Sequence, residues 1–143
     1  MNPNVLVVDS NIAVKWYIAE EYSERSRSIL DDYLAGILEL LAPDLIYSEF
    51  GNIVWKKQVF QGLSETDAYA AVEAFCVLPV RITPAVDLLV DAYRLAVTYK
   101  RSVYDSLYLA LSLRENCRFV TADEKFVAAL GGAFPNAVLL ADW

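Results

Sequence analysis

Asn4-Val-Leu-Val-Val8 places four aliphatic residues in a row with no polar alternation, the pattern of a strand buried on both faces as in a parallel sheet. It ends at Asp9-Ser10-Asn11, residues that favour turns and helix starts. Ser23 is placed to cap a helix running to about Ala35, in which Ile29, Leu30, Tyr33 and Leu34 form an apolar stripe and which Gly36 stops. A short strand near Leu40–Ala42 precedes Pro43, and a long helix follows from about Asp44 to Phe60, closed by Gly62. Ser64-Glu65-Thr66-Asp67 opens another helix with Ala68, Ala71, Val72 and Phe75 on one side. Leu78–Ile82 reads as a strand despite Pro79. Thr83-Pro84 starts the next helix, to about Tyr99, with proline at its first position. Ser102–Arg114 is a further helix, Arg118–Thr121 a strand, Ala122–Leu130 a helix and Ala137–Leu140 a last strand. Strands alternate with helices throughout, which predicts an α/β fold with a mostly parallel central sheet and helices on both faces.

Composition narrows the picture. A chain of 143 residues suffices for one ordinary domain and is short for two, and its 57% hydrophobic content supplies a sizeable core. No apolar run is long enough to span a bilayer, and Met1-Asn2-Pro3-Asn4 carries no basic segment ahead of an apolar one, so the expected location is cytoplasmic, with no membrane attachment. Cys76 and Cys117 are expected to be buried free thiols.

Histidine is absent, which excludes Ser-His-Asp and Cys-His nucleophile schemes, histidine general bases and the HExxH metalloprotease site. With only two cysteines as well, a structural zinc site is excluded. The net charge of −7 argues against a broad basic nucleic-acid footprint but not against RNA as a substrate, since bound divalent cations reverse the local sign. Lys15, Lys56, Lys57, Lys100 and Arg101 are the candidates for phosphate contact, but each is more readily a solvated surface charge and none is assigned a binding role.

The carboxylates are more telling. Ligands of an open parallel sheet bind beyond the C-terminal ends of its strands. Asp9 follows the first strand directly and Asp123 lies two residues past Phe119-Val120-Thr121, so both belong on one rim if these strands are parallel. Glu49 falls about a turn and a half into its helix and Asp105 in the first turn of another, positions from which each can face that rim. Singly, each has a plain role: Asp9 and Asp123 as helix-start acids, Asp105 as favourable charge at a helix N-terminus, Glu49 as a solvated side chain. Together, acids on one rim repel one another unless something positive neutralises them. No lysine or histidine adjoins them in sequence, and a divalent cation is the economical answer. Oxygen-only ligation selects the hard cations Mg²⁺ and Mn²⁺, and two such ions about 3.5–4 Å apart would activate an attacking water and stabilise the leaving oxygen of a phosphodiester.

Val7-Val8-Asp9-Ser10-Asn11, Ser48-Glu49 with Asn52 one turn on, Tyr104-Asp105-Ser106-Leu107-Tyr108-Leu109-Ala110-Leu111 and Thr121-Ala122-Asp123-Glu124-Lys125-Phe126 follow an order and spacing that span nearly the whole chain. In this the chain resembles the PIN-domain nucleases, in particular the VapC-like toxin half of bacterial and archaeal VapBC toxin–antitoxin pairs. The resemblance implies a three-layer α/β/α PIN-like domain over residues 1–143 with a sheet of about five strands. It implies that Asp9, Glu49, Asp105 and Asp123 form a metal site for Mg²⁺ or Mn²⁺ that cleaves RNA, with hydroxyl support from Ser10 and Thr121 and with Asn52 steadying Glu49. Glu124 reads as a solvated side chain.

The resemblance further implies an antitoxin protein that inserts a segment into the active-site groove, and a homodimer. Trp16-Tyr17 and the Trp55–Phe60 helix carry large apolar groups suited either to an interface or to the core. A PIN-like module that binds RNA or protein without cutting is the alternative. The chain lacks the adjacent acidic pair that a phosphorylated receiver carries after its first strand, and Asp9-Ser10-Asn11 lacks the second aspartate of a haloacid-dehalogenase-like phosphatase.

Overall fold

β1 (Asn2–Val8) lies at the centre of the sheet with a partner on each edge, and helices on both faces leave Leu6, Val7 and Val8 wholly buried. β2 (Glu39–Pro43) lies parallel to it on one side and β4 (Cys117–Thr121) parallel on the other. β3 (Arg81–Thr83) continues the sheet beyond β2, and β5 (Ala137–Leu139) continues it beyond β4. The order is β3-β2-β1-β4-β5, all parallel, in this computed structural model of residues 1–143.

Parallel strands require crossovers, and these are right-handed. The chain leaves β1 toward β2 and β3 through α1 (Ser10–Tyr17), α2 (Ser23–Leu34), α3 (Leu45–Gln61) and α4 (Glu65–Val77). It then returns past β1 to β4 and β5 through α5 (Ala85–Tyr99), α6 (Val103–Arg114) and α7 (Glu124–Leu130). Reversing direction puts the first four helices on one face and the last three on the other, and the helix contacts agree: α1 packs on α2 and α3, α3 on α4, and α5 on α6. The reversal falls between β1 and β4. A crevice opens at such a switch point, at the C-terminal ends of the two strands.

Several boundaries differ from the sequence expectation for identifiable reasons. Tyr22, not Ser23, precedes α2, in a left-handed conformation. The Ser23 hydroxyl instead accepts from the Glu20 N–H at 2.9 Å and donates to the Ile18 carbonyl, closing the turn before the helix. The third strand starts at Arg81, past Pro79, because proline gives no ladder donor. Pro84 caps α5 from outside, and the Ala85 N–H is satisfied by Asp44 Oδ1 at 3.0 Å. The last strand ends at Leu139 and runs into a 3₁₀ turn over Leu140–Asp142.

Of the two thiols only Cys117 is buried; Cys76 is exposed on α4, contrary to expectation. Trp16 belongs to the core, where its indole N–H donates to the Ser26 carbonyl at 2.9 Å and its ring meets Phe75. Trp55 and Phe60 are exposed and meet each other edge to face. No helix is long and apolar enough to cross a membrane.

Candidate active site

Asp9 is the residue at which β1 becomes α1. Its extended backbone makes it the N-cap, and Oδ1 accepts from the Ile12 N–H at 3.0 Å. The other oxygen, Oδ2, accepts from the Thr121 hydroxyl at 2.5 Å. Thr121 ends β4, and its oxygen in turn accepts from the Asp123 N–H at 3.1 Å. Asp123 caps α7, with Oδ1 accepting from the Phe126 N–H at 2.9 Å. The two central strands thus deliver Asp9 and Asp123 to one rim, tied through a single hydroxyl.

Two helices supply the rest. Ser102 caps α6 by accepting from the Asp105 N–H at 3.1 Å, which sets Asp105 in the first turn. Glu49 comes from α3, and its carboxylate accepts from the hydroxyl of Tyr108, one turn along α6 from Asp105. The Ser10 hydroxyl lies against both Glu49 and Tyr108. Asp9, Ser10, Glu49, Asp105, Thr121 and Asp123 line one small pocket together with Asn11, Tyr108, Phe119 and Phe126. Its volume is about 30 Å³, room for a water-sized occupant.

The electrostatics follow from crowding acids in a sheltered place. Burial pushes the Asp9 carboxyl up to about 6 from 3.8; the hydrogen bonds from Thr121 and Ile12 oppose this, and the charges of Glu49 and Asp105 add to it. Glu49 is also raised, by burial and then by Asp105, against the hydroxyls of Tyr108 and Ser10. Asp105 is raised by burial and by Asp123, against Ser102 and Arg101. Burial and the neighbouring Glu49 drive Tyr108 far above its ordinary range, so it is a neutral donor at any working pH.

The donor set is oxygen only and over-charged, which suits a hard divalent cation. No three of the carboxylates converge closely enough to form a ready-made cage. That also suits Mg²⁺, which keeps several waters and binds through one or two carboxylates plus substrate phosphate.

Three sequence expectations need correction. Asn52 is exposed, outside the pocket, and makes no hydrogen bond to Glu49; Tyr108 holds that carboxylate instead. Lys15 and Lys57 do not face solvent as free cations: both pair with Glu20, at 3.0 and 2.7 Å, on partly buried side chains. A cation does stand beside the acids. Arg101 Nη2 lies 3.6 Å from Asp105 and 3.4 Å from Asp123, with the guanidinium over the Phe126 ring. Arg101 lies outside α6, in the turn before its Ser102 cap, so no helical spacing pointed to it. Tyr108 did carry such a signal, three residues past Asp105 on the same helix face. Lys56, Lys100 and Glu124 are exposed.

The chain is an all-parallel α/β/α domain with acids gathered at the switch point between β1 and β4. The PIN domain model matches residues 6–130, so the chain belongs to the PIN-domain family. It is 30% identical over 129 residues to Ribonuclease VapC3 of Pyrobaculum aerophilum, covering 86% of this chain and 95% of that one. The fold is similar to that of PAE2754 from Pyrobaculum aerophilum, with a TM-score of 0.70 at 17% identity over 95% of this chain and 83% of the other. It is also similar to Mycobacterium tuberculosis VapC20, a sarcin-ricin loop cleaving toxin, with a TM-score of 0.64 at 15% identity over 87% and 94%. A third likeness is to VapBC2 of Rickettsia felis, bound to a fragment of its promoter DNA, with a TM-score of 0.60 at 15% identity over 94% and 96%.

Proposed function

We propose that this chain is a metal-dependent endoribonuclease, the toxin of a toxin–antitoxin pair, that hydrolyses RNA phosphodiester bonds. The observation that carries the reading is the convergence of Asp9, Glu49, Asp105 and Asp123 on one small pocket at the sheet's switch point. Similarity to Ribonuclease VapC3 supports RNA as the substrate, and the VapBC2 likeness is consistent with an antitoxin partner. The protein acts in the cytoplasm as a homodimer.

A bound Mg²⁺ or Mn²⁺ would supply Lewis acidity, easing deprotonation of the attacking water and neutralising charge on the phosphate and leaving oxygens. Asp9, Glu49, Asp105 and Asp123 would hold it. The chain's own groups do the positioning. Thr121 and the Ile12 N–H fix both oxygens of Asp9, so its rotamer does not wander. Tyr108 and Ser10 orient Glu49. Phe119 and Phe126 wall the pocket and limit water.

The test is to incubate protein freed of any partner with structured and unstructured RNA, with Mg²⁺, with Mn²⁺ and with EDTA, beside D9N and D105N. Metal-dependent cleavage that both variants lose is expected. Cleavage by both folded variants at the wild-type rate sinks the proposal. A non-cutting binding module is the second reading. It gains if metal binds and no RNA is ever cut.

A further inference from the structure

We infer that Arg101 is a built-in counter-ion of the acidic pocket, held by Asp105 and Asp123 while no divalent cation is bound and released to the substrate phosphate when cation and RNA arrive. The inference rests on the nuclease reading above and adds a substrate-contacting residue to it.

The turn between α5 and α6 is only three residues long, and each has a task. Lys100 adopts the left-handed conformation that ends α5, and Ser102 caps α6. Between them the Arg101 N–H donates to the Ala96 carbonyl at 3.2 Å, so the backbone is anchored. The guanidinium is held less firmly. A single nitrogen, Nη2, is shared between carboxylates from two helices at 3.4 and 3.6 Å. Charge-assisted hydrogen bonds in a closed arginine–carboxylate pair are about 2.7–2.9 Å. Arg101 therefore spans both acids without closing on either.

Its Nε is buried and has no acceptor. A buried donor without a partner is costly, so an incoming acceptor improves this arrangement. Phosphate oxygens are such acceptors, and the planar fork of arginine matches them in pairs. The ring of Phe126, 5.8 Å from the guanidinium carbon, gives the group a surface to slide on as it changes partners.

The consequence is competition inside the protein. Without RNA, a divalent cation must displace the guanidinium from Asp105 and Asp123, which weakens its binding. With RNA, a phosphate draws the guanidinium away and frees both carboxylates. Cation and RNA then favour each other, and the coupling is reciprocal.

Mn²⁺ binding to the metal-free protein, measured by water proton relaxation with no RNA present, reads this directly. R101Q is expected to bind Mn²⁺ about tenfold more tightly than the wild type, the scale of losing a charge-assisted competitor, while its KM for a short RNA rises. Equal or weaker Mn²⁺ binding by R101Q overturns the inference and leaves the nuclease reading standing. No Mn²⁺ binding by either protein defeats both. Should R101Q fail to fold, the wild type suffices: its Arg101 Nε–H resonance is expected to move as Mg²⁺ is titrated in, and a resonance unmoved at saturation overturns the inference.

Discussion

The Tyr108 hydroxyl donates to the Glu49 carboxylate and so bridges α6 and α3, helices from opposite faces of the sheet, above the C-terminal rim of the strands. Because Tyr108 does not ionise, it can only give this hydrogen bond. Y108F removes the donor and leaves the ring stacked on Phe119. The expected result is a loss of about 1–2 kcal/mol in stability, the cost of stranding a partly buried acceptor. Cleavage should fall about tenfold, by analogy with other supports of metal-binding side chains, and the acidic limb of the pH–rate profile should move up. Thermal melts and a pH series check this; an unmoved limb rejects the orienting role.

Asp9 gives a prediction with a sign opposite to intuition. Between 3.8 and about 6 the folded chain keeps a proton on Asp9 that the unfolded chain releases. Stability contributed by the protonated form is therefore lost as pH rises through that window, and the loss is complete above about 6. The span corresponds to roughly 3 kcal/mol at most. In EDTA at neutral pH, D9N is expected to melt higher than the wild type while cutting no RNA, and the gap should close as pH falls below 3.8. Adding Mg²⁺ should stabilise the wild type and not the variant. A wild type that melts above D9N in EDTA contradicts this account of Asp9.

Glu20 holds two lysines at once. Burial raises its carboxyl, but the hydrogen bonds and charges of Lys57 and Lys15 outweigh burial and leave it lowered. The pair thus contributes stability above the ordinary glutamate range that is lost as pH falls through the lowered value. E20Q, which keeps the shape, should cost about 2 kcal/mol, the scale of charged hydrogen bonds, at neutral pH and little in acid. Chemical denaturation at the two pH values distinguishes this from a pH-independent packing loss.

Asp44 supplies a cap to a helix it does not belong to, accepting from Ala85 N–H across β3. D44A should cost about 1 kcal/mol, the usual value of a lost cap, and leave metal-dependent cleavage as it is. Impaired cleavage by a folded D44A would place Asp44 in the site, where no contact puts it.

These residues also mark what could be read along the chain. The apolar run at Val5–Val8, the alternation of strands and helices and the four acids are local or periodic signals, and the fold follows them. Asp9 and Asp123 were legible because a strand end and a helix start are adjacent in sequence. The partners that tertiary approach creates were not. Glu20 meets Lys57 across 37 positions and Tyr108 meets Glu49 across 59, and neither pairing leaves a periodic trace. Asn52 sat one turn from Glu49, as spacing asked, yet a tyrosine from another helix took the role. Arg101 was hidden differently: its charge suggested an RNA contact, whereas its turn folds it back onto the acids.

The central place of β1 has a bearing on how the cell makes this protein. The first strand to leave the ribosome is the one that must be flanked on both sides, and its second neighbour is encoded more than a hundred residues later. The Thr121–Asp9 hydrogen bond closes a loop of 112 positions. At ordinary elongation speeds the interval is on the order of ten seconds; Asp105 is added only near its end and Asp123 just after it. The acidic pocket cannot assemble before translation has passed the fourth strand. The proposed activity would therefore be withheld from the nascent chain until the fourth strand is made.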